Sequence, residues 1–193
     1  IAQKVESLRS MEHFIQFEEL PEIYVDAVIS VEDKRFWTHN GVDILAIFRA
    51  VWKDITTFSF AEGGSTITQQ LMKNEYFTQE KKLERKFAEI FAALELEREY
   101  SKEDIFELYV NTIYFGSGYY GIYDAAQGYF DKEPYELTEY EAVMLAGLPN
   151  APSAYSPDNN LELALQRMGQ VLDSMVACGA ISEEDADRIF NQG

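Results

Sequence analysis

The sequence has 193 residues, a length that fits one domain, and 47% of them are apolar, which is enough for a sizeable core. It carries 34 acidic and 16 basic residues, and the net charge of −18 opposes nonspecific binding to nucleic acid. The single cysteine excludes an internal disulfide, and the presence of only 2 histidines argues against a zinc site.

Apolar residues recur at spacings of three and four, so the chain is predicted to be mainly α-helical. Pro21 begins a first helix that ends near Glu32, and a polar loop with Gly41 at its turn follows. A second helix is predicted at 43–53, and the segment 54–64 is irregular but unusually apolar for a loop.

The next predicted helix begins after two glycines, and Ser65 or Thr66 caps it. A helix start of this kind is a favourable place for an anionic oxygen, although an ordinary structural cap is the simpler interpretation. Its polar side carries Gln69, Gln70, Lys73 and Asn74.

A long helix is predicted from about 80 to 99, and basic residues are concentrated at its start, so a local anion site can exist on an otherwise acidic protein. Arg85 and Glu89 share one face, where a surface ion pair is the simplest interpretation. The opposite face is predicted to carry an apolar stripe of Leu83, Phe87, Ile90, Phe91 and Leu94.

Recognisable caps predict further helices in the C-terminal half of the chain. Their starts are predicted at Ser101, at Thr138, near residue 160 and at Ser182, and Gly179 ends the third. The sequence shows no internal repeat and no linker, so one compact helical unit is the simplest organisation.

Gly116, Gly118 and Gly121 have the spacing of a dinucleotide-binding motif. That motif requires a preceding strand, and here a capped helix precedes the glycines. They are therefore interpreted as a turn that lets the backbone pass close to another element or to a ligand.

Two glutamates lie in unlike surroundings, a contrast by which paired carboxylates take separate roles in acid–base chemistry. Glu32 ends an apolar run, where partial desolvation would raise its pKa and favour a general base. Glu89 lies next to Arg85 and Lys86, which favour its ionised form.

Five segments, taken in order, resemble the motifs of the peptidoglycan glycosyltransferase family, which includes monofunctional transglycosylases and the glycosyltransferase domains of class A penicillin-binding proteins. They are EDKRFWTHNG, GGSTITQQLMKN, RKFAE, IFELYVNTIYFGSGYYG and LAGLPNAPSAYSP. The resemblance implies one glycosyltransferase domain over 1–193, with a mainly α, lysozyme-like fold. It also implies a larger globular lobe, a smaller membrane-associated lobe containing 44–60, and a cleft between them.

The activity implied by the resemblance is polymerisation of lipid II into glycan strands. The growing chain passes, with inversion, from polyprenyl pyrophosphate to the 4-hydroxyl of an incoming lipid II. Glu32 would be the general base, and Glu89 would assist departure of the pyrophosphate. Lys73, Arg85 and Lys86 would neutralise the diphosphate.

Other positions also match the family. Ser65, Gln69, Gln70 and Tyr114 match positions that line the donor site, whereas Asp33, Phe36, His39 and Asn111 match motif positions for which a structural role is the alternative. No metal ligand is assigned and no cofactor is required, although Mg²⁺ or Mn²⁺ at the pyrophosphate is compatible with the same residues.

The expected partners are lipid II, the nascent glycan, a cell-wall synthesis complex and a membrane surface contacted by 44–60, whose aromatic residues would equally suit a core. The expected location is the extracytoplasmic face of a bacterial plasma membrane. No apolar run approaches the roughly 20 residues of a membrane span, so a trimmed chain without the family's anchor is expected. The alternatives are a lysozyme-like glycan hydrolase, which would not need the three cations, and a noncatalytic lipid II-binding module.

Overall fold

A computed structural model describes residues 1–45, 47, 64–76 and 83–193, of which residues 83 and 84 are described by their backbone only. Residues 44, 45 and 47 are helical, but most of the predicted helix at 43–53 lies outside the described residues. Most of the irregular segment predicted at 54–64, and most of the membrane contact predicted at 44–60, also lie outside the described residues.

The described part of the chain is mostly helical, which confirms the predicted fold class. The helices are α1 (Ala2–Arg9), α2 (Glu22–Glu32), α3 (Ile67–Tyr76), α4 (Leu83–Glu99), α5 (Lys102–Thr112), α6 (Ile122–Phe130), α7 (Glu139–Gly147), α8 (Pro152–Tyr155), α9 (Leu161–Cys178) and α10 (Glu183–Phe190). Short 3-10 turns occupy Phe17–Glu19, Pro134–Glu136 and Leu148–Asn150. None of the described helices combines the length and the apolarity needed to cross a bilayer.

The predicted helix caps are present as hydrogen bonds. At the start of α5, the Ser101 amide donates to Asp104 at 2.9 Å and the Asp104 amide donates to Ser101 Oγ at 3.1 Å. Thr138 and Glu141 form the same reciprocal arrangement before α7. These local bonds satisfy amides that would otherwise lack partners, which is why the helix starts were predictable from sequence.

A two-stranded antiparallel hairpin, which the sequence analysis did not predict, follows α5. Its strands are β1 (Tyr114–Gly116) and β2 (Tyr119–Tyr120). Gly116 has φ +91°, and a Cβ there would lie 2.5 Å from the Pro152 carbonyl oxygen, so this position favours glycine. The prediction that the glycines form a turn with close backbone approach is confirmed.

The chain forms two compact units, Ile1–Lys34 with Val110–Gly193, and Arg35–Tyr109. In the first unit, α2, α7 and α9 pack against one another. Their apolar faces form its core, with buried residues Tyr24, Val28, Ala142, Val143, Leu145, Met168, Val171 and Met175. Glu32 is the last residue of α2 and therefore lies at the end of this three-helix core.

In the second unit, α3 packs against α4, and Phe36 is fully buried at a ring-centroid distance of 6.0 Å from Phe106 of α5. The apolar stripe predicted on α4 is not the buried face of this helix, because Phe87 and Phe91 are 62% and 70% exposed. The buried face of α4 instead carries Ala93, Leu96 and a charged residue, described below.

Candidate active site

Glu32 lies at the C-terminal end of α2 in the first unit, and its side chain is only 10% exposed. One carboxylate oxygen, Oε1, lies 3.8 Å from Nη2 of Arg167 on α9. The contact is an ion pair at the limit of direct contact, so the carboxylate is held near a positive charge without a short hydrogen bond to it.

The guanidinium of Arg167 is itself fixed by neighbouring groups. Nε donates to the Gly147 carbonyl at 3.2 Å and Nη1 donates to Gln170 Oε1 at 3.0 Å. The centroid of the Tyr155 ring lies 5.7 Å from Cζ of Arg167. A Cβ at position 147 would lie 2.9 Å from Arg167 Cγ, so glycine there lets the arginine pack closely against α7.

Tyr24 is fully buried on the same helix as Glu32. Burial raises the pKa of its hydroxyl, and the negative charge of Glu32 raises it further. Tyr24 therefore stays neutral at physiological pH.

Glu89 lies on α4 in the second unit and is 2% exposed, which excludes the alternative interpretation of a simple surface ion pair. Its Oε1 lies 2.9 Å from Nε of Arg85, and its Oε2 accepts a hydrogen bond from Lys86 Nζ at 3.2 Å. The Arg85 contact is close, but its angle is not that of a hydrogen bond. Two cations thus neutralise one buried carboxylate.

Lys86 also links this carboxylate to the segment before α3. Its Nζ donates to Ser65 Oγ at 3.0 Å, and the lysine side chain is 46% exposed. A cation that is anchored by a buried glutamate and still exposed is suited to bind an anionic ligand. Four of the predicted site residues, Ser65, Arg85, Lys86 and Glu89, therefore form one cluster.

The start of α3 is capped by Thr66, whose Oγ1 accepts a hydrogen bond from the Gln69 amide at 3.1 Å. The Gln69 side chain returns the bond, since its Oε1 accepts from the Thr66 amide at 3.0 Å. Gln69 is buried, whereas Lys73 and Asn74 on the same predicted polar side are exposed. Its amide nitrogen Nε2 has no hydrogen-bond partner among the described residues and is a candidate donor to a ligand.

The remaining predicted substrate-binding residues are more dispersed. Lys73 is exposed in the last turn of α3, and Gln70 accepts a long hydrogen bond of 3.4 Å from Tyr109. Tyr114 lies in the hairpin of the first unit, where its ring packs on Tyr120 and its hydroxyl accepts a hydrogen bond from the Gly118 amide.

The motif residues for which a structural role was the alternative are all buried: Asp33, Phe36, His39 and Asn111. Asn111 bridges the backbone of Ile15, accepting from its amide at 2.9 Å and donating to its carbonyl at 2.8 Å. These bonds satisfy both the amide and the carbonyl of Ile15, which is distant from Asn111 in sequence. This is a structural function.

Among the described residues, no group of three or more His, Cys, Asp or Glu side chains is arranged to hold a metal ion. The Glu89 carboxylate is already contacted by Arg85 and Lys86, so it offers a poor ligand set for Mg²⁺, which requires several oxygen ligands. The described residues alone therefore do not fit a protein-held metal.

Sequence reasoning missed Arg167 as a functional residue. On α9 the apolar positions 164, 168, 171, 172 and 175 define the buried face, and Arg167 falls within it. A basic residue on an apolar helix face is the signal that points to a buried charge partner.

Comparison with known proteins identifies the family of this chain. Residues 2–176 match the model of the transglycosylase family. Penicillin-binding protein 1A of Aquifex aeolicus is 44% identical over 179 residues, covering 93% of this chain and 25% of that protein. Penicillin-binding protein 1F of Bacillus subtilis is 44% identical over 172 residues, covering 89% and 24% respectively.

The crystal structure of penicillin-binding protein 1A from Haemophilus influenzae has the same fold, with a TM-score of 0.57 at 23% identity, over 94% of this chain and 17% of that one. This chain thus spans about a quarter or less of the length of these proteins. The chain belongs to the transglycosylase family and is a glycosyltransferase domain.

Proposed function

We propose that this domain polymerises lipid II into peptidoglycan strands. The observation that carries the proposal is the pairing of Ser65, Lys86, Arg85 and Glu89 into one cationic cluster. A leaving diphosphate carries charge that such a cluster can stabilise. A hydrolase acting on a neutral glycan has no corresponding need for it.

In the proposed reaction the 4-hydroxyl oxygen of the acceptor lipid II attacks the anomeric carbon of the growing chain. Glu32 takes the hydroxyl proton as the new C–O bond forms. The bond from the anomeric carbon to the phosphate oxygen breaks, and polyprenyl pyrophosphate leaves with the electron pair, so the anomeric configuration inverts from α to β. Arg167 keeps Glu32 ionised between turnovers, since a nearby positive charge favours the carboxylate.

Glu89 contributes to leaving-group departure through the cations that it holds. Its two carboxylate oxygens contact Arg85 and Lys86, so it orients both basic side chains and offsets their mutual repulsion. The diphosphate is then bound by Lys86, Arg85 and the exposed Lys73, with Ser65 and the Gln69 amide nitrogen as additional donors.

The second unit is proposed to contact the lipid phase where the polyprenyl chain enters. Ile44 and Leu45 are 62% and 57% exposed, and Phe87 and Phe91 are exposed in the same unit. Exposed aliphatic and aromatic side chains near basic ones suit a membrane interface. The proposed location is the extracytoplasmic face of a bacterial plasma membrane, where the nascent strand joins the cell wall.

The test is a polymerisation assay with fluorescent lipid II in detergent or vesicles. Subsequent digestion of the product with a muramidase identifies it as glycan. Long glycan strands and released polyprenyl pyrophosphate are expected. Sugar fragments released from finished peptidoglycan without polymer would indicate the hydrolase instead. Saturable lipid II binding without any turnover would indicate the binding module.

A further inference from the structure

Three hydroxyl groups in the first unit form a continuous chain of hydrogen bonds, called here the hydroxyl chain, that has no part in the proposed chemistry. Ser117 Oγ, in the turn between β1 and β2, lies 2.7 Å from Ser156 Oγ. Ser156 Oγ lies 3.1 Å from the hydroxyl of Tyr129 on α6, and that hydroxyl donates to the Phe115 carbonyl at 3.0 Å. The hydroxyl chain thus leaves the hairpin at its turn and returns to it on β1.

The direction of each bond in the hydroxyl chain follows from the hydrogens available. A carbonyl oxygen can only accept, so the single phenolic hydrogen of Tyr129 goes to Phe115. Burial raises the pKa of the Tyr129 hydroxyl, so it keeps this hydrogen. The bond between Ser156 and Tyr129 is then donated by Ser156, and the bond between Ser117 and Ser156 is donated by Ser117. Loss of either serine hydroxyl therefore interrupts the connection.

Ser156 is the buried anchor of the hydroxyl chain, with 0% of the residue exposed. Its amide donates to the Pro152 carbonyl at 3.0 Å. Its carbonyl accepts from the amides of Asn159 and Asn160, each at 3.0 Å. The Ser156 hydroxyl therefore has a fixed place between α8 and α9, and it ties the exposed turn at Ser117 to this fixed place.

The backbone at Ser117 supports a role for its side chain. Its φ is +51°, a left-handed conformation that residues other than glycine rarely adopt. The flanking residues Gly116 and Gly118 also have positive φ, and a third glycine would suit this turn on backbone grounds. Position 117 instead holds a serine whose hydroxyl binds Ser156. Unfavourable backbone conformations of this kind are concentrated at functional sites.

The hairpin that the hydroxyl chain holds carries two tyrosines in contact. The ring centroids of Tyr114 on β1 and Tyr120 on β2 are 4.7 Å apart. The Tyr114 hydroxyl accepts a hydrogen bond of 3.3 Å from the amide of Gly118, the residue after Ser117. The position of the turn therefore affects the position of the Tyr114 hydroxyl.

We propose that Ser117 and Ser156 are positioning residues for substrate binding, and that they act by fixing the hairpin that carries Tyr114. This inference rests on the proposed function, because Tyr114 is predicted to line the site of the lipid-linked donor. The effect of the hydroxyl chain on the hairpin itself does not rest on that function.

The kinetic test compares Ser117→Gly with Ser117→Asn. Glycine suits the left-handed backbone but removes the hydroxyl, so the free energy of unfolding in urea should change little. The KM for lipid II should rise about three- to tenfold, the effect of losing one hydrogen bond. kcat should change less, because an interaction made equally with bound substrate and transition state affects KM alone.

Ser117→Asn is the conservative variant that should restore binding. Asparagine tolerates the left-handed conformation, and its side-chain amide can donate to Ser156 in place of the hydroxyl. Its KM for lipid II should therefore stay near the parental value. A merely structural role of the turn would not separate Ser117→Gly from Ser117→Asn in KM while their stabilities stay similar.

Amide hydrogen exchange tests the effect on the hairpin without lipid II. The Gly121 amide donates to the Ile113 carbonyl at 2.9 Å, so the segment 113–121 contains an exchange-protected amide. Ser156→Ala interrupts the hydroxyl chain and should speed exchange in this segment by about three- to tenfold. Ser153→Ala, at an exposed serine of α8, is the matched control and should exchange at the parental rate. Ser117→Gly, at an exposed position, gives the same measurement if the buried substitution prevents folding.

Parental KM in Ser117→Gly would overturn the proposal, and so would parental exchange in a folded Ser156→Ala. An equal rise of KM in Ser117→Gly and Ser117→Asn would also overturn it, because the hydrogen bond to Ser156 would then not be the cause. If the parent protein does not polymerise lipid II, the proposed function fails. The exchange comparison then still decides whether the hydroxyl chain fixes the hairpin.

Discussion

Each unit of the molecule holds one nearly buried glutamate beside an arginine, yet the two carboxylates are held differently. Glu32 lies 3.8 Å from the guanidinium of Arg167, which also donates hydrogen bonds to Gly147 and Gln170. Glu89 lies 2.9 Å from Arg85 and 3.2 Å from Lys86. The contact of Glu32 with Arg167 is therefore longer than the contacts of Glu89 with its two cations.

The difference separates two chemical roles. A general base has to accept a proton during the reaction, so a carboxylate already held by two close cations is poorly suited to it. A carboxylate that orients cations has to stay ionised and fixed, which tight pairing achieves. On this basis we propose Glu32 as the base and Glu89 as the support for the cationic site.

The largest expected effect is that of Glu32→Gln, which keeps the shape of the side chain but removes the base. Turnover of lipid II should fall on the order of 10²- to 10⁴-fold, while lipid II binding persists. Steady-state polymerisation and a separate binding titration measure the two quantities.

The matched control for this substitution is Glu22→Gln, at the exposed first turn of the same helix. It should leave turnover at the parental level. Parental activity in Glu32→Gln would contradict the assignment of the base and remove the contrast between the two glutamates.

The next largest effect is expected for Lys86→Met, which removes the ammonium group that contacts both Glu89 and Ser65. Loss of a hydrogen bond to a charged group costs about 1.5–3 kcal/mol, or roughly 10- to 10²-fold in kcat/KM. Arg98→Met, exposed in the last turn of the same helix, is the control. Equal kinetics in Lys86→Met and Arg98→Met would contradict a role of the cationic cluster in turnover.

A smaller effect is expected for Arg167→Met, on the order of tenfold in kcat/KM. The substitution removes the positive charge that favours ionised Glu32, so the acid limb of the pH–rate profile should move to higher pH. A uniform loss at every pH would show that Arg167 supports packing only.

The smallest effect concerns an ion pair that serves stability alone. Burial raises the pKa of the Glu141 carboxyl, but hydrogen bonds from Lys132 and from Thr138 outweigh burial and leave it below its ordinary value. The ion pair therefore stabilises the folded state at pH values above the ordinary glutamate pKa. This stabilisation is lost as the pH falls through the lowered pKa of Glu141.

Lys132→Met should accordingly lower the free energy of unfolding by about 1 kcal/mol at pH 7 and by less near pH 3. Urea unfolding at the two pH values measures this difference. A change in polymerisation rate would show that an ion pair without a catalytic role still affects turnover, and would weaken the comparison between Glu32 and Glu89.

Helix starts were predictable because their signals are local. Ser101, Thr138 and Ser182 each cap a helix, and Gly179 ends α9 with a left-handed conformation. The hairpin at 114–120 was not predicted, since its strands are too short to show alternation.

Burial was less predictable than helicity. On α4 the sequence pattern pointed to Phe87 and Phe91 as the apolar face, yet both are exposed and Glu89 is buried. Periodicity identifies which residues share a helix face, but only the neighbouring elements decide which face is covered. Exposed aromatic residues of this kind require a separate reason, here the proposed membrane contact.

The sequence by itself determined the family and the helical fold class, because motifs and caps depend on residues close in the chain, and from the same motifs it predicts the reactive side chains. The tertiary structure decided which charges meet. The contacts of Glu32 with Arg167, and of Glu97 with Lys102 and Thr68, join residues brought together only by helix packing. Electrostatic interactions depend on distance and burial in space, and neither quantity can be read from spacing along the chain.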